Sequence, residues 1–366
     1  MVEQRRNGND GIFSICIKVV LLLLKFGSKR FKKLTATQKY NIIIKQKRKR
    51  IFTGKGFDIL KKRISAVLAV ILCLTFMLCP IQGFSYTTNS TLGSGLTGAN
   101  WMSGVRDDVY LSDLSIPGTH DSGARIVDSI ATTWAKCQNL TITDQLKIGV
   151  RYLDMRLEYD TSCKDNIRVV HSTINVWNGN NGALTLYEVL NECYAFLDSN
   201  PSETIIMSVK EDDGNNASAL ANAIWDLIYK NPNKWYYSTT TPQMKYARSK
   251  IVLASRISQV GAGLNLSWGD QGSDGGSVEI NSSLEVQDRY NMGTSPKWSN
   301  AVKPMLDKEK PDRKWFLNFL STTGAGTSGV VACSNNMNDA FYLYEAKNNK
   351  CYGIVIFDYV AEGLAK

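Results

Sequence analysis

The chain predicts an α/β fold in which a mainly parallel sheet curls into a closed or nearly closed barrel. Three observations carry this. Short β-rich runs alternate with helical stretches, the pattern of parallel strands joined by crossover helices. Seven such runs are present, more than a small open sheet needs. Six segments place a polar or charged residue at or just past a strand end, as expected where strand ends converge on one rim.

The candidate strands are Leu111–Ile116, Tyr152–Leu157, Arg168–His171, Thr204–Lys210, Ile251–Ser255, Trp315–Leu320 and Tyr352–Phe357. Pro117-Gly118 reads as a turn closing the first of them and presenting His120 and Asp121. Helices are expected at Ile142–Ile148, Leu184–Leu197, Ala217–Tyr229 and Asn338–Asn348. In the second of these, Leu186, Val189, Leu190, Cys193, Phe196 and Leu197 recur at the spacing of one buried helical face. Asn200-Pro201 then stops that helix before the next strand. The Gly/Ser-rich stretch Gly261–Gly276 reads as a long surface loop. No internal repeat is evident.

The net charge of +10 is unevenly placed. Residues 1–85 hold 18 of the 43 basic residues and three of the 33 acidic ones, so the chain from Tyr86 onward carries −5. That excludes nucleic acid as the partner a basic chain would suggest. The leader has the layout of a signal peptide: Lys61-Lys62-Arg63, an apolar run Ile64–Leu78, Pro80, then small residues at Gly83 and Ser85. Its 15-residue run is short beside the roughly 20 residues of a spanning helix. Export is therefore expected, with an uncleaved membrane anchor as the alternative. Ile15–Phe26 and the basic run Lys45–Arg50 lie upstream and are set apart from the fold. Thr87–Ser103 is rich in Thr, Ser, Gly and Asn. The expected division is thus a leader over 1–85, a linker over 86–103 and a single catalytic domain over 104–366. Five cysteines follow the leader (Cys137, Cys163, Cys193, Cys333 and Cys351). They allow at most two disulfides; none has metal-site spacing, and buried thiols are the simpler reading.

The chain has two histidines, and both fall at expected strand ends, His120 and His171. Two imidazoles can act as general base and general acid near neutral pH, since their ordinary pKa is about 6.5. Asp154 and Arg156 share one face of their strand, whereas Arg151 does not. Inward charges of this kind form a structural ion pair, or offer a guanidinium fork to a phosphate. Lys210, Arg256 and Asp358 each follow an apolar run. Singly, each is a solvated rim residue. Together they supply cations for a phosphodiester, imidazoles for proton transfer and carboxylates to orient them.

Ser115-Ile-Pro-Gly-Thr-His-Asp-Ser-Gly123, Leu153-Asp-Met-Arg156, the run Asn200–Lys210 and Val286-Gln-Asp-Arg-Tyr290 together resemble bacterial phosphatidylinositol-specific phospholipase C, from about Trp101 to Val360. The resemblance implies a distorted TIM-type (β/α) barrel in a single domain. It also implies cleavage of phosphatidylinositol to diacylglycerol and inositol 1,2-cyclic phosphate. His120, oriented by Asp358, is then the base, and His171, supported by Asp121, the acid. Arg156 stabilises charge on the phosphoryl oxygens while Asp154 holds the site together. Lys210, Arg256, Asp288 and Tyr290 contact the inositol, and Trp268 lines the same pocket. Calcium-dependent relatives carry a carboxylate where Arg156 stands, so no metal or other cofactor is expected; Glu211-Asp212-Asp213 reads as solvated loop carboxylates. Ile130–Trp134 matches a membrane-entering helix, with Trp134 as its membrane contact. A second interfacial Trp of the family is replaced by Val330 and Val331. The implied partner is phosphatidylinositol at a membrane surface, met by a monomer. The family's closing helix has room only to begin over Ala361–Lys366. Two competing readings are a metal-dependent glycerophosphodiester phosphodiesterase and a non-catalytic lipid- or sugar-binding barrel.

Overall fold

The computed structural model describes residues 95–364 apart from 129–130, 213, 215 and 346–349. The leader, the first part of the linker, Ile130 and Asp213 lie outside the described residues, as do the last positions of the helix expected over 338–348.

The chain opens with β1 (Ile116–Thr119), the short helices α1 (Thr132–Ala135) and α2 (Ile142–Ile148), then β2 (Tyr152–Tyr159). A hairpin follows, β3 (Ile167–His171) and β4 (Ile174–Asn175), then α3 (Leu186–Ser199), β5 (Ile205–Glu211) and α4 (Ala217–Lys230). Next come β6 (Trp235–Tyr236), α5 (Met244–Ala247), β7 (Ile251–Ser255) and β8 (Leu264–Asn265). The last part holds β9 (Val278–Asn281), β10 (Leu284–Gln287), α6 (Thr294–Lys297), α7 (Lys303–Asp307), β11 (Trp315–Phe319), α8 (Gly329–Glu345) and β12 (Ile354–Phe357).

The strands form one sheet in the order β6-β7-β5-β2-β1-β12-β11-β10-β9. From β6 to β10 every neighbouring pair is parallel. Only β9 against β10 and the β3–β4 hairpin beside β2 run antiparallel. Among the described residues no backbone ladder joins β8 to β10. Gln271 bridges that seam instead: its Nε2 donates to Val286 O at 3.2 Å, and its Oε1 accepts from Asp288 N at 2.8 Å. The result is a distorted α/β barrel with one seam closed by a side chain.

Alternation along each strand divides the core in two, because successive strand side chains point to opposite faces. Ile116, Tyr152, Ile206, Val252, Ala254, Leu284, Val286, Leu317, Phe319, Ile354 and Ile356 fill the barrel. Leu153, Met155, Leu157, Met207, Val209, Leu253, Val355 and Phe357 face outward and pack under the helices. The helix α3 meets them with the six apolar residues its spacing predicted, and begins at a capping box in which Thr185 and Glu188 satisfy each other's backbone N–H. The floor of the barrel is polar. Arg151 and Glu203 are both fully buried; the guanidinium donates twice to Glu203 Oε2 (3.0 and 2.7 Å) and also to the carbonyls of Leu146, Val150, Gly98 and Ala99. Gly98 must be glycine here, since a Cβ would lie 2.5 Å from the backbone carbon of Ile148.

Several expectations are corrected. Leu111–Asp113 is a 3-10 turn, and the strand expected there is β1, which contains Pro117 and Gly118. Pairing with β2 starts at Gly118, so the missing N–H of Pro117 falls outside that ladder. Gly118 sits where a Cβ would come within 3.0 Å of Tyr152, so the pair reads as a crowded strand rather than a turn. The strand ending in His171 is not one of the parallel set but the antiparallel return of a hairpin. Residues 261–276 are a surface loop only in their second half: Leu264, Leu266 and Trp268 are buried inside the barrel, whereas 269–276 is irregular and mostly exposed. The last helix begins at Gly329, not Asn338, and β9 and β10 were not foreseen. All five described cysteines are free; three are buried.

Candidate active site

The polar rim is a consequence of the period-two pattern. On β1 the inward series Ile116, Gly118 continues to His120; on β12, Ile354 and Ile356 lead to Asp358. Likewise β5 runs Ile206, Ser208, Lys210; β7 runs Val252, Ala254, Arg256; β10 runs Leu284, Val286, Asp288. On β2 the charges start deeper, at Asp154, followed by Arg156. These side chains meet at a cavity of about 400 Å³ lined by His120, Asp121, Arg156, His171, Lys210, Arg256, Trp268, Asp288, Tyr290 and Asp358. Asp154 lies beneath it, fully buried. Every residue singled out for chemistry or substrate contact thus lies in or directly under one cavity, and Trp134 stands at its wall.

His120 Nδ1 lies 2.8 Å from Asp358 Oδ1. The ends of β1 and β12 that carry this pair are tied together through the backbone: Asn338 Nδ2 donates to the main-chain O of Asp358, and Gln138 Nε2 donates to both His120 O and Phe357 O. Asp121, whose φ of 41° turns the chain back, places its Oδ2 3.2 Å from His120 Nε2 and 3.5 Å from His171 Nε2. Asp121 was expected to serve His171 alone; it is shared, and nearer to His120. The two imidazoles stand at right angles, 6.3 Å apart. Burial pushes the His120 pKa down, but Asp358 and Asp121 outweigh it and raise it to about 9.

Arg156 donates through Nε and Nη2 to Asp154 at 2.8–3.0 Å and through Nη1 to Asp212 Oδ1 at 3.2 Å. Asp154 opposes burial with this partner, and its pKa stays below the usual carboxylate value. Asp212 is the residue the sequence reading misplaced. Rather than a solvated loop carboxylate, it is an ion-paired wall residue whose side chain is 7% exposed. It accepts from Arg156, Lys210 and, at 2.6 Å, the backbone N–H of Ser172, which follows His171. Burial acts against its charge, yet Arg156 and Lys210 hold its carboxyl well below the usual range. Asp212 is therefore the joint between the phosphate-type arginine, the β5 lysine and the hairpin that delivers His171. Period-two spacing from Lys210 was the signal that could have found it.

On β7, the neighbour of β5, the Arg256 guanidinium carbon lies over Trp268, 3.6 Å from the ring centroid, and Trp268 Nε1 donates to Asp288 Oδ2 at 3.1 Å. Arg256 Nη1 is buried without a hydrogen-bond partner. Tyr290 and Trp134 are two of the exposed large apolar side chains among the described residues, at 42% and 44% exposure, and both border the cavity. Among the described residues no helix is long and apolar enough to cross a membrane.

A parallel barrel with a carboxylate-held imidazole, a second imidazole and a guanidinium at one mouth has the parts that acid–base chemistry on an anionic substrate requires. Residues 114–257 match the X domain of phosphatidylinositol-specific phospholipase C. The chain is 30% identical over 317 residues to the 1-phosphatidylinositol phosphodiesterase of Listeria monocytogenes, covering 82% of this chain and 94% of that protein. It is 31% identical over 276 residues to that of Staphylococcus aureus strain NCTC 8325, covering 70% and 81%. Its fold is similar to solved structures of phosphatidylinositol-specific phospholipase C from S. aureus (TM-score 0.61, 28% identity, 72% of this chain and 91% of that one) and L. monocytogenes (TM-score 0.59, 26% identity, 74% and 97%). The chain belongs to the phosphatidylinositol-specific phospholipase C family.

Proposed function

We propose that the chain is an exported phospholipase C that cleaves phosphatidylinositol to diacylglycerol and inositol 1,2-cyclic phosphate without a metal ion. The observation that carries it is the pair of imidazoles facing one another across Asp121, one of them held by Asp358 at 2.8 Å. With Nδ1 engaged by Asp358, His120 presents Nε2 as the base. It takes the proton of the inositol 2-hydroxyl; that oxygen bonds to phosphorus; the bond from phosphorus to the glycerol oxygen breaks; and His171 returns a proton to the departing oxygen. Arg156, locked between Asp154 and Asp212, faces the charge that builds on the phosphoryl oxygens. Its guanidinium fills the place between two carboxylates that a divalent cation would otherwise neutralise, which supports a metal-free reaction. Trp268 and Tyr290 offer ring faces to the inositol, and Lys210, Arg256 and Asp288 offer partners for its hydroxyls. Trp134 is exposed beside the cavity and serves as the membrane contact. The basic flank and apolar run before Ser85 support export through a cleaved signal peptide.

The test is turnover of phosphatidylinositol vesicles by the full chain in EDTA, following the cyclic phosphate by phosphorus NMR. Activity is expected to survive EDTA and to fall about 10²–10⁴-fold in His171→Ala. Activity abolished by EDTA would instead mark a metal-dependent phosphodiesterase, and full activity in His171→Ala would sink the acid–base assignment.

A further inference from the structure

Cys137 has no part in the proposed reaction, yet it stands against the catalytic cluster and is fully buried. Its Sγ, a ring nitrogen of His120 and a carboxylate oxygen of Asp121 all lie within 4.8 Å of one another. A thiolate, an imidazole and a carboxylate are donors that bind zinc, at about 2.0–2.3 Å. Tetrahedral bonds of that length set donors about 3.3–3.8 Å apart, so the three residues need draw together by only about 1 Å. Two further features point to a cation. The Asp121 side chain is 1% exposed, and its Oδ2, buried without a hydrogen bond, faces the thiol and the two imidazole Nε2 atoms at 3.2 and 3.5 Å. The Asp358 carboxylate on His120 Nδ1 is the outer partner that metal-bound imidazoles usually carry, and it leaves Nε2 on the Asp121 side. The Arg156 charge, although hydrogen-bonded to Asp154 and Asp212, is felt at His120 and Asp121 and opposes a cation there, so the attraction must come from the carboxylates of Asp121 and Asp358 and from the thiolate.

We propose that His120, Asp121 and Cys137 form an inhibitory site for a thiophilic divalent cation such as zinc or cadmium. The proposal rests on His120 being the general base: an ion on its ring occupies the lone pair that must accept the inositol proton. Binding releases the thiol proton to solvent, together with the imidazolium proton where His120 carries one, so it tightens as pH rises. Calcium, which takes six to eight oxygen ligands, does not fit a sulfur and nitrogen pair.

The test uses the full chain in chelator-free buffer, as wild type, Cys137→Ser and Cys137→Ala. Cadmium is expected to give wild type a thiolate charge-transfer absorption that is weaker by one thiolate in both variants. Zinc affinity by calorimetry is expected to fall at least about tenfold when the sulfur ligand is lost. Turnover without zinc should stay within threefold of wild type in at least one variant, while its sensitivity to zinc drops with the affinity; calcium should do nothing. Equal zinc inhibition of wild type and both variants, or an undiminished cadmium band, overturns the site. A cadmium band that Cys137 carries but that leaves turnover untouched overturns the inhibition and points back to the role given to His120. Because absorption and calorimetry need no turnover, the site is tested even if the chain cleaves another lipid.

Discussion

Replacing Asp121 with Asn should lower the pKa of His120 and move the pH dependence of the reaction with it. The carboxylate oxygen lies 3.2 Å from His120 Nε2. At an effective permittivity of about 20 that separation gives an attraction of about 5 kcal/mol as an upper bound. Opposite charges this close typically move a pKa by about 1 to 3, because desolvation and relaxation absorb the rest. The His120 pKa of about 9 should therefore fall to between about 6 and 8 in Asp121→Asn. Asn is the right replacement because it keeps the shape and tolerates the left-handed backbone at this position. The assay is unusually clean. The chain has two histidines, so a proton–carbon NMR titration shows two imidazoles, and His171→Ala identifies which is which. The base must be neutral to act, so kcat/KM of wild type should climb as pH rises toward about 9, and the climb should end at lower pH in Asp121→Asn. The same sign governs stability. A histidine that binds its proton more tightly when folded stabilises the chain fully below about 6.5, and that contribution is lost as pH rises through about 9. An unmoved His120 midpoint in Asp121→Asn would refute the electrostatic account and leave Asp358 as the sole source of the shift.

Three other outcomes are expected. Asp212→Ala should cut kcat/KM about 10²-fold by loosening the Ser172 N–H that fixes the His171 hairpin; Asp212→Asn, which keeps an acceptor for that N–H, should recover part of the loss, and no recovery would count against a positioning role. Trp134→Ala should weaken binding to phosphatidylinositol vesicles by about 10- to 100-fold, the worth of one large apolar side chain, while leaving turnover of a water-soluble inositol phosphodiester unchanged. Glu203→Ala should cost about 3–5 kcal/mol in denaturant unfolding, since it strands the fully buried Arg151 guanidinium without its carboxylate.

The parts of this molecule that were legible in its sequence are those fixed by local periodicity. The six apolar positions of α3 and the β7 strand needed nothing beyond their own spacing, because one helical face or one apolar run decides where they go. The rim was legible for the same reason. Once a strand alternates, the residues two and four places past its last inward apolar side chain must face the mouth; Arg256 and Asp358 stand at two, His120 and Lys210 at four. What local pattern cannot carry is pairing. The residues Arg168–His171 read as a barrel strand, yet β3, which contains them, pairs antiparallel with β2, so His171 reaches the cavity from a hairpin. Nothing in so short a run states which neighbour it will take. Likewise β10 is short and carries a Glu and a Gln, both buried, whose partners lie elsewhere in the chain: Lys308 and Lys314 for Glu285, Asn318 for Gln287. Asp212 is different, because its signal was present. The inward series of β5 runs Ile206, Ser208, Lys210 and then Asp212, but the adjoining Glu211 and Asp213 made the three look like one solvated acidic cluster. Composition suggested solvent where parity required the cavity. On a barrel strand parity is the stronger constraint, because a side chain cannot change face without breaking the ladder that positions its neighbours. Asp212 consequently lies where it can govern Arg156, Lys210 and His171 together, and the hairpin that departs from the parallel pattern is anchored through Ser172 N–H by a carboxylate that follows it.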